Sequence, residues 1–170
     1  IFSHDFTVRY VYRNSSVDMP PLYLFTSLWS ALEGSHLLWT FLLTVISAIA
    51  LLTLRPRNQS LLPGLVTAFG VAQSYMLLLT VWESGPFTRL FPAGQFGNGM
   101  NALLQNPYMA IHPPILFSGY STLIVPFAYG FAAMIRGGFS PEWLVSVRRW
   151  VLAAWAFLTI GIFLGGKWAY

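Results

Sequence analysis

Four long apolar stretches, separated by polar segments, dominate the pattern of hydrophobic and polar positions along the chain. None contains a charged residue, and they are His36–Leu54, Leu61–Trp82, Pro114–Ile135 and Trp150–Gly165. A helix of about 20 mostly apolar residues is long enough to cross the hydrocarbon core of a bilayer. Because lipid offers backbone groups no partner, a spanning segment must pair them internally. The pattern therefore predicts an all-α fold, a polytopic transmembrane bundle with about four spanning helices.

The segments between these stretches predict two different sides of a membrane. Short links follow the first and third stretches and hold five of the nine cations, Arg55, Arg57, Arg136, Arg148 and Arg149. Short basic loops stay cytoplasmic. We therefore expect an outer segment at residues 1–35, an outer loop at 83–113 and the tail from Lys167 on the non-cytoplasmic side. One membrane domain then covers residues 1–170.

Composition supports a membrane protein and excludes several other classes. The chain is 56% hydrophobic and 8% charged, whereas soluble domains are about 25% charged. Cysteine is absent, which excludes a disulfide framework and a thiolate metal site in this chain. The net charge of +4 comes largely from the two basic links, so it indicates topology and not nucleic-acid binding. The ends at Ile1 and Tyr170 lead us to expect a piece of a longer protein.

The first 35 residues contain two short patterned segments. Residues 5–12 alternate and are rich in β-branched and aromatic residues, which predicts a short strand or an extended run over the membrane. Residues 22–31 are apolar but too few to span, so an extracytoplasmic interfacial or re-entrant segment is expected.

Aromatic side chains cluster near the predicted outer boundary. They are Trp39, Trp82, Tyr108, Tyr120, Trp168 and Tyr170. Tryptophan and tyrosine commonly form belts at the lipid–water interface. A platform for a flat ligand is the second interpretation, and some of these residues could serve both purposes.

His112 is the strongest candidate ligand that the residues themselves indicate. Pro113 and Pro114 follow it, and a residue before proline is pushed toward extended geometry. His112 is therefore expected immediately before the third spanning helix, whose positive end favours a neutral imidazole. A neutral imidazole can bind iron. A simple solvated histidine at the interface is the alternative.

Several motifs resemble the CcmF-type haem lyase subunits of cytochrome c maturation, with which NrfE-type proteins share them. Residues 29–39, WSALEGSHLLW, resemble the family's W-G-x-H-E-G-S-L-L-L-W. A match to D-F-T-V-x-Y-V-x-x-N-S begins at Asp5, and a match to L-G-x-x-W-A-Y ends at Tyr170. Residues 101–120 resemble N-P-L-L-Q-D-P followed by H-P-P-x-L-Y-x-G-Y. The matches cover nearly the whole chain in order.

The resemblance implies cytochrome c biogenesis. Such proteins receive haem from a haem chaperone and present it to apocytochrome c for covalent attachment, together with other maturation subunits. The location implied is the bacterial or mitochondrial inner membrane, with the functional face non-cytoplasmic. His112 matches the family's axial ligand to the iron of haem b. The haem-binding set that we predict is His112, Pro113, Trp29, Glu33, Trp39, Tyr120 and Trp168, with no catalytic residue.

This chain also departs from the family pattern. Leu32 stands where the family often has histidine, and His36 lies three residues after Glu33. The family's Trp-rich haem-presenting motif, second outer histidine and two membrane-buried histidines fall outside these residues, so this piece alone is not expected to be active. Two other functions stay open, a transmembrane transporter for haem or a small solute and a non-catalytic assembly scaffold.

Overall fold

The computed structural model describes residues 1–170 and confirms the predicted all-α bundle. Two short helices come first, α1 (Arg9–Asn14) and α2 (Pro21–Thr26), and a 3₁₀ turn at Ser27–Trp29 follows α2. The four long helices are α3 (Leu32–Leu52), α4 (Leu62–Leu78), α5 (Pro107–Arg136) and α6 (Pro141–Ala169). A 3₁₀ turn precedes α4 at Pro56–Leu61, and a π-helical turn continues it at Leu79–Ser84. With these turns, all four helices are long and apolar enough to cross a membrane.

The fourth helix begins earlier than its apolar stretch. We expected it from Trp150, but α6 starts at Pro141, so Arg148 and Arg149 lie within the helix and not in a loop. Ser140 explains the early start, because its hydroxyl accepts a hydrogen bond from the backbone N–H of Trp143 at 3.1 Å. A side chain in this position satisfies a backbone donor that the first turn leaves without a partner.

The core of the bundle lies around α5, which packs against α3, α4 and α6. Twelve buried residues from α3, α4, α5 and the connection between α3 and α4 form it, and five of them are alanines. Gly64 of α4 lies against Ala132 of α5 so closely that an added Cβ would be 2.6 Å from the alanine Cβ. Small residues at such contacts let helix backbones approach, which is how membrane helices gain packing energy.

One end of the bundle is covered by residues 1–31 and 85–106, which we call the cap. The two parts are joined by backbone hydrogen bonds, from Arg9 to Thr88 (2.8 Å), from Leu90 to Thr7 (2.7 Å) and from Asn98 to Tyr12 (2.7 Å). The first segment and the long loop therefore lie on the same end, as the sequence predicted.

The prediction of a strand at residues 5–12 is wrong. Residues 9–14 form α1, and the only strand-like pairing is a single bridge between Val8 and Arg89. A strand needs a partner over several residues, and the loop runs beside this segment only briefly. The buried neighbours Tyr10 and Val11 also suit one side of a helix better than a strand, in which adjacent side chains point to opposite faces.

The opposite end, residues 53–61 and 136–149, is called the basic end. Arg57 pairs with Glu142 at 3.3 Å across it. The buried Asn58 side chain donates from Nδ2 to Ser146 Oγ at 2.9 Å. The two basic links thus meet at one end, as expected, while the side of the membrane that this end faces stays a prediction.

Candidate functional site

His112 lies inside α5 and not before it, which corrects the position expected from the two prolines. The helix begins at Pro107 because Asn106 Oδ1 accepts a hydrogen bond from the backbone N–H of Tyr108 at 2.8 Å. Pro113 and Pro114 are therefore interior residues of α5. Membrane helices tolerate interior proline, so the restriction that proline places on its preceding residue did not determine the local geometry.

The imidazole of His112 is oriented by the neighbouring helix. Its Nδ1 lies 2.8 Å from the carbonyl oxygen of Gly161 in α6. A carbonyl oxygen can only accept, so Nδ1 carries the hydrogen and donates it. In the neutral ring, Nε2 then keeps its lone pair, and the protein gives Nε2 no hydrogen-bond partner.

Two glycines of α6 make room for this contact. A Cβ on Gly165 would lie 2.8 Å from Cε1 of His112, and one on Gly161 would lie 3.0 Å from Cα of Leu116. The sequence pattern of Gly161 and Gly165 indicated only close helix packing. Their part in seating the imidazole was missed, because small-xxx-small spacing looks the same with or without a ring against it.

Trp168 connects the His112 site to the cap. Its ring centroid lies 6.3 Å from that of His112, with 29° between the ring planes. Its indole N–H donates to the carbonyl oxygen of Leu103 in the cap loop at 3.0 Å. A cavity of about 430 Å³ lies beside it, lined by Ala102, Leu103, Gln105, Asn106, Trp168 and Ala169. Trp168 therefore contacts both His112 and the cap loop, while His112 itself is not among the residues that line this cavity.

Trp39 and Tyr120 meet each other in a different cluster, between α3 and α5. Trp39 stacks on Phe117 with centroids 5.3 Å apart, and its ring lies 5.7 Å from that of Tyr120. Tyr120 is eight residues beyond His112 in α5, or about 12 Å along the helix axis. The structure thus places these two aromatics farther from the cap than His112 along the bundle axis, and their role toward haem stays a prediction.

Trp29 and Glu33 lie where the cap joins α3. Trp29 is buried edge-on against Phe25, with centroids 5.1 Å apart, and its indole N–H has no partner. Glu33 is half-buried in the first turn of α3, where the helix dipole favours a carboxylate. Neither side chain stacks on or hydrogen bonds to His112. Their haem roles, like that of Pro113, stay predictions.

The remaining histidines do not join His112 in a metal centre. His36 Nδ1 hydrogen bonds to Ser84 Oγ, which links α3 to the π-helical turn. His4 lies in the cap beside Phe6. No group of three or more His, Cys, Asp or Glu side chains could hold a metal ion. His112 therefore offers one nitrogen, which is enough for an axial bond to haem iron but not for a bare ion.

A buried tyrosine joins two parts of the first cap segment beside the start of α3. The hydroxyl of Tyr10 donates to the carbonyl oxygen of Ser27 at 2.7 Å. Burial raises the pKa of Tyr10 to about 12. Gly34 lies directly against this contact, since a Cβ there would be 2.2 Å from the tyrosine oxygen. The first turn of α3 and the cap are thus closely packed.

An exposed polar contact holds the two parts of the cap together. Asp5 accepts a hydrogen bond from the Thr7 hydroxyl and pairs with Arg89 at 3.1 Å. The Thr7 hydroxyl, helped by the Arg89 charge, lowers the pKa of the Asp5 carboxyl. The carboxylate form is therefore the one that links the first segment to the loop.

Comparison with known proteins identifies the family. Residues 29–170 match the model of the family described as cytochrome C assembly protein. The chain is 42% identical to a cytochrome c-type biogenesis protein of Rhodobacter capsulatus, 38% identical to CcmF of Escherichia coli and 34% identical to NrfE of Haemophilus influenzae. Each alignment covers 98% of this chain and 25–26% of the relative, so the chain spans about a quarter of their length. No solved structure matches. The chain belongs to the cytochrome C assembly protein family.

Proposed function

We propose that this chain binds haem at the cap end through His112 and presents it for covalent attachment to apocytochrome c. Family membership gives cytochrome c biogenesis as the general function. The role in haem binding rests on the site itself. The proposal places that site on the non-cytoplasmic face of the inner membrane, as part of a haem lyase complex with other maturation subunits.

The observation that carries the proposal is the hydrogen bond from His112 Nδ1 to Gly161 O at 2.8 Å. Histidines that bind metals usually donate their second ring N–H to a carbonyl or carboxylate, which fixes the tautomer and the ring orientation. In His112, the N–H of Nδ1 already donates to a protein carbonyl. Nε2 is the atom left to bind iron.

The surroundings of His112 suit a flat, partly anionic ligand. Trp168 lies beside the imidazole and forms part of an open cavity of about 430 Å³, within the range of small-molecule sites. Lys167 is exposed and precedes Trp168 in α6. An ammonium group in this position can pair with a propionate carboxylate.

The contribution of this chain is binding and orientation. Haem supplies the vinyl groups that form thioether bonds with apocytochrome cysteines. The protein fixes the approach of the ligand through one ring nitrogen and an adjacent indole, and proximity of this kind can replace much of a reaction barrier. Delivery by a haem chaperone and release to apocytochrome c belong to the same proposal.

A transporter is less well supported. Transporters place polar or ionisable groups near the middle of the membrane. Here the lysine, arginine and acidic residues lie toward the two ends of the helices, and the buried polar side chains between those ends, such as Gln73 and Ser121, carry no charge. A scaffold that binds no haem is the other alternative, and the haem content of the purified protein distinguishes the two functions.

The test replaces His112 with alanine in the intact protein and uses His4→Ala as the matched control. We expect His112→Ala to lose haem absorbance in the purified protein and to abolish production of covalently haem-labelled cytochrome c. His4→Ala should keep both, because His4 has no part in the site. Normal haem content in His112→Ala would refute the proposal, and no haem in the unaltered protein would favour a scaffold.

A further inference from the structure

A second cavity lies at the basic end, far from His112. It has a volume of about 260 Å³ and lies between the end of α3 and the first half of α6. Its walls are Thr53, Arg55, Tyr129, Ser146, Arg149, Trp150 and Ala153. Nothing in the function proposed above uses this cavity.

The charge of the cavity is positive and uncompensated. Arg55 and Arg149 line it, and no carboxylate does. Glu142 is the only acid at this end, and it is paired with Arg57. Neither Arg55 nor Arg149 forms an ion pair. Two guanidinium groups that face one cavity can hold a phosphate through parallel hydrogen bonds.

The position of the cavity points to the lipid–water boundary. Arg55 directly follows the apolar stretch that ends at Leu54, and Arg149 directly precedes the one that begins at Trp150. Both cations therefore stand at the edge of the hydrocarbon region. Trp150 provides an interfacial indole beside them.

An apolar surface continues from the cavity along α6. Ala153 is the wall nearest the middle of that helix, and its small side chain leaves space. Farther along the same side of the helix, at four and seven residues beyond Ala153, Phe157 is 40% exposed and Ile160 is 50% exposed. The negatively charged head of an amphipathic ligand would thus meet the two arginines, and its apolar tail would meet the apolar surface of α6.

We propose that this cavity binds the phosphate group of an anionic phospholipid, with its acyl chains along α6. Basic sites between transmembrane helices at the cytoplasmic side bind anionic headgroups in this way. Such a site differs from a general attraction to negative membranes, because binding depends on Arg55 and Arg149 and not on every cation at this end.

The experiment is native mass spectrometry of the intact protein with added phosphatidylglycerol. We expect a discrete adduct that phosphatidylethanolamine does not give, and the double variant Arg55→Gln/Arg149→Gln should weaken it by about ten-fold. The matched control is Arg136→Gln/Arg148→Gln, which removes the same charge from the same end but leaves the cavity lining intact. It should retain the adduct.

Equal weakening in both double variants would overturn the proposal, because only overall charge would then matter. A site for free phosphate is tested by adding inorganic phosphate in molar excess over the lipid. We expect the lipid adduct to persist, since the acyl chains contribute to binding, and displacement by phosphate would contradict a lipid site. His112 is untouched in every variant, so haem binding provides an independent check of folding.

Discussion

The Nδ1 atom of His112 lies 2.8 Å from the carbonyl oxygen of Gly161, a contact that joins α5 to α6 at the cap end. The imidazole is packed at the same time against Gly165 and beside Trp168. Ring orientation is thus determined by α6, although the histidine belongs to α5. Binding of haem should depend on α6 residues that need not touch the ligand.

Gly165→Ala tests this dependence. The new Cβ would lie 2.8 Å from Cε1 of His112, so the ring must move away from Gly161. Loss of a group that orients a metal-binding histidine typically costs ten-fold to 100-fold in affinity, and we expect about ten-fold weaker haem binding in a spectroscopic titration. Gly166→Ala is the control, because a Cβ there meets nothing within 4 Å. Equal affinities in both variants would argue against a seated imidazole.

The sequence predicted the fold well because long uncharged stretches leave few alternatives in a membrane. It also predicted which segments share an end, since the distribution of arginines divides the chain into two groups. Helix boundaries were less accurate. Ser140 and Asn106 start α6 and α5 earlier than hydropathy suggested, because side-chain caps extend helices beyond the apolar residues.

The candidate site was predicted only in part. The position of His112 near the cap was predicted, but the proline rule placed the residue before the helix, and its role as a ligand stays a prediction. Its contact with Gly161 joins residues 49 positions apart, and no local pattern encodes such a pairing. Trp39 and Tyr120 were grouped with His112 because the sequence places all three near one boundary. In the structure, Tyr120 lies about 12 Å from His112 along the axis of α5.

Gly34→Ala should loosen the cap. A Cβ at this position would be 2.0 Å from the carbonyl oxygen of Leu28 and 2.2 Å from the hydroxyl oxygen of Tyr10. Overpacking of this kind costs about 1–3 kcal/mol, so the thermal unfolding temperature in detergent should fall. Gly70→Ala is the matched change within a spanning helix, where a Cβ meets nothing within 4 Å. The packing described for the cap would be incorrect if Gly34→Ala unfolded no earlier than Gly70→Ala.

Because Tyr10 is buried, the free energy of unfolding should fall at alkaline pH. Its pKa is raised to about 12 by burial, against about 10 in an unfolded chain. The stabilising contribution is complete below pH 10 and is lost as pH rises to 12, because the unfolded chain ionises first. Tyr10→Phe should remove this fall in stability, which is measured by unfolding experiments at several pH values from about 9 to 12. A Tyr10 that titrates near pH 10 in difference absorbance spectra would contradict the buried hydrogen bond.

The most direct measurement is a haem titration of the intact protein carrying His112→Ala, with and without added imidazole. We predict that the variant loses the spectrum of histidine-bound haem and that free imidazole restores it, because the missing group is a ring nitrogen in a preformed space. A variant that binds haem with unchanged affinity and spectrum would contradict the assignment of His112 as the iron ligand.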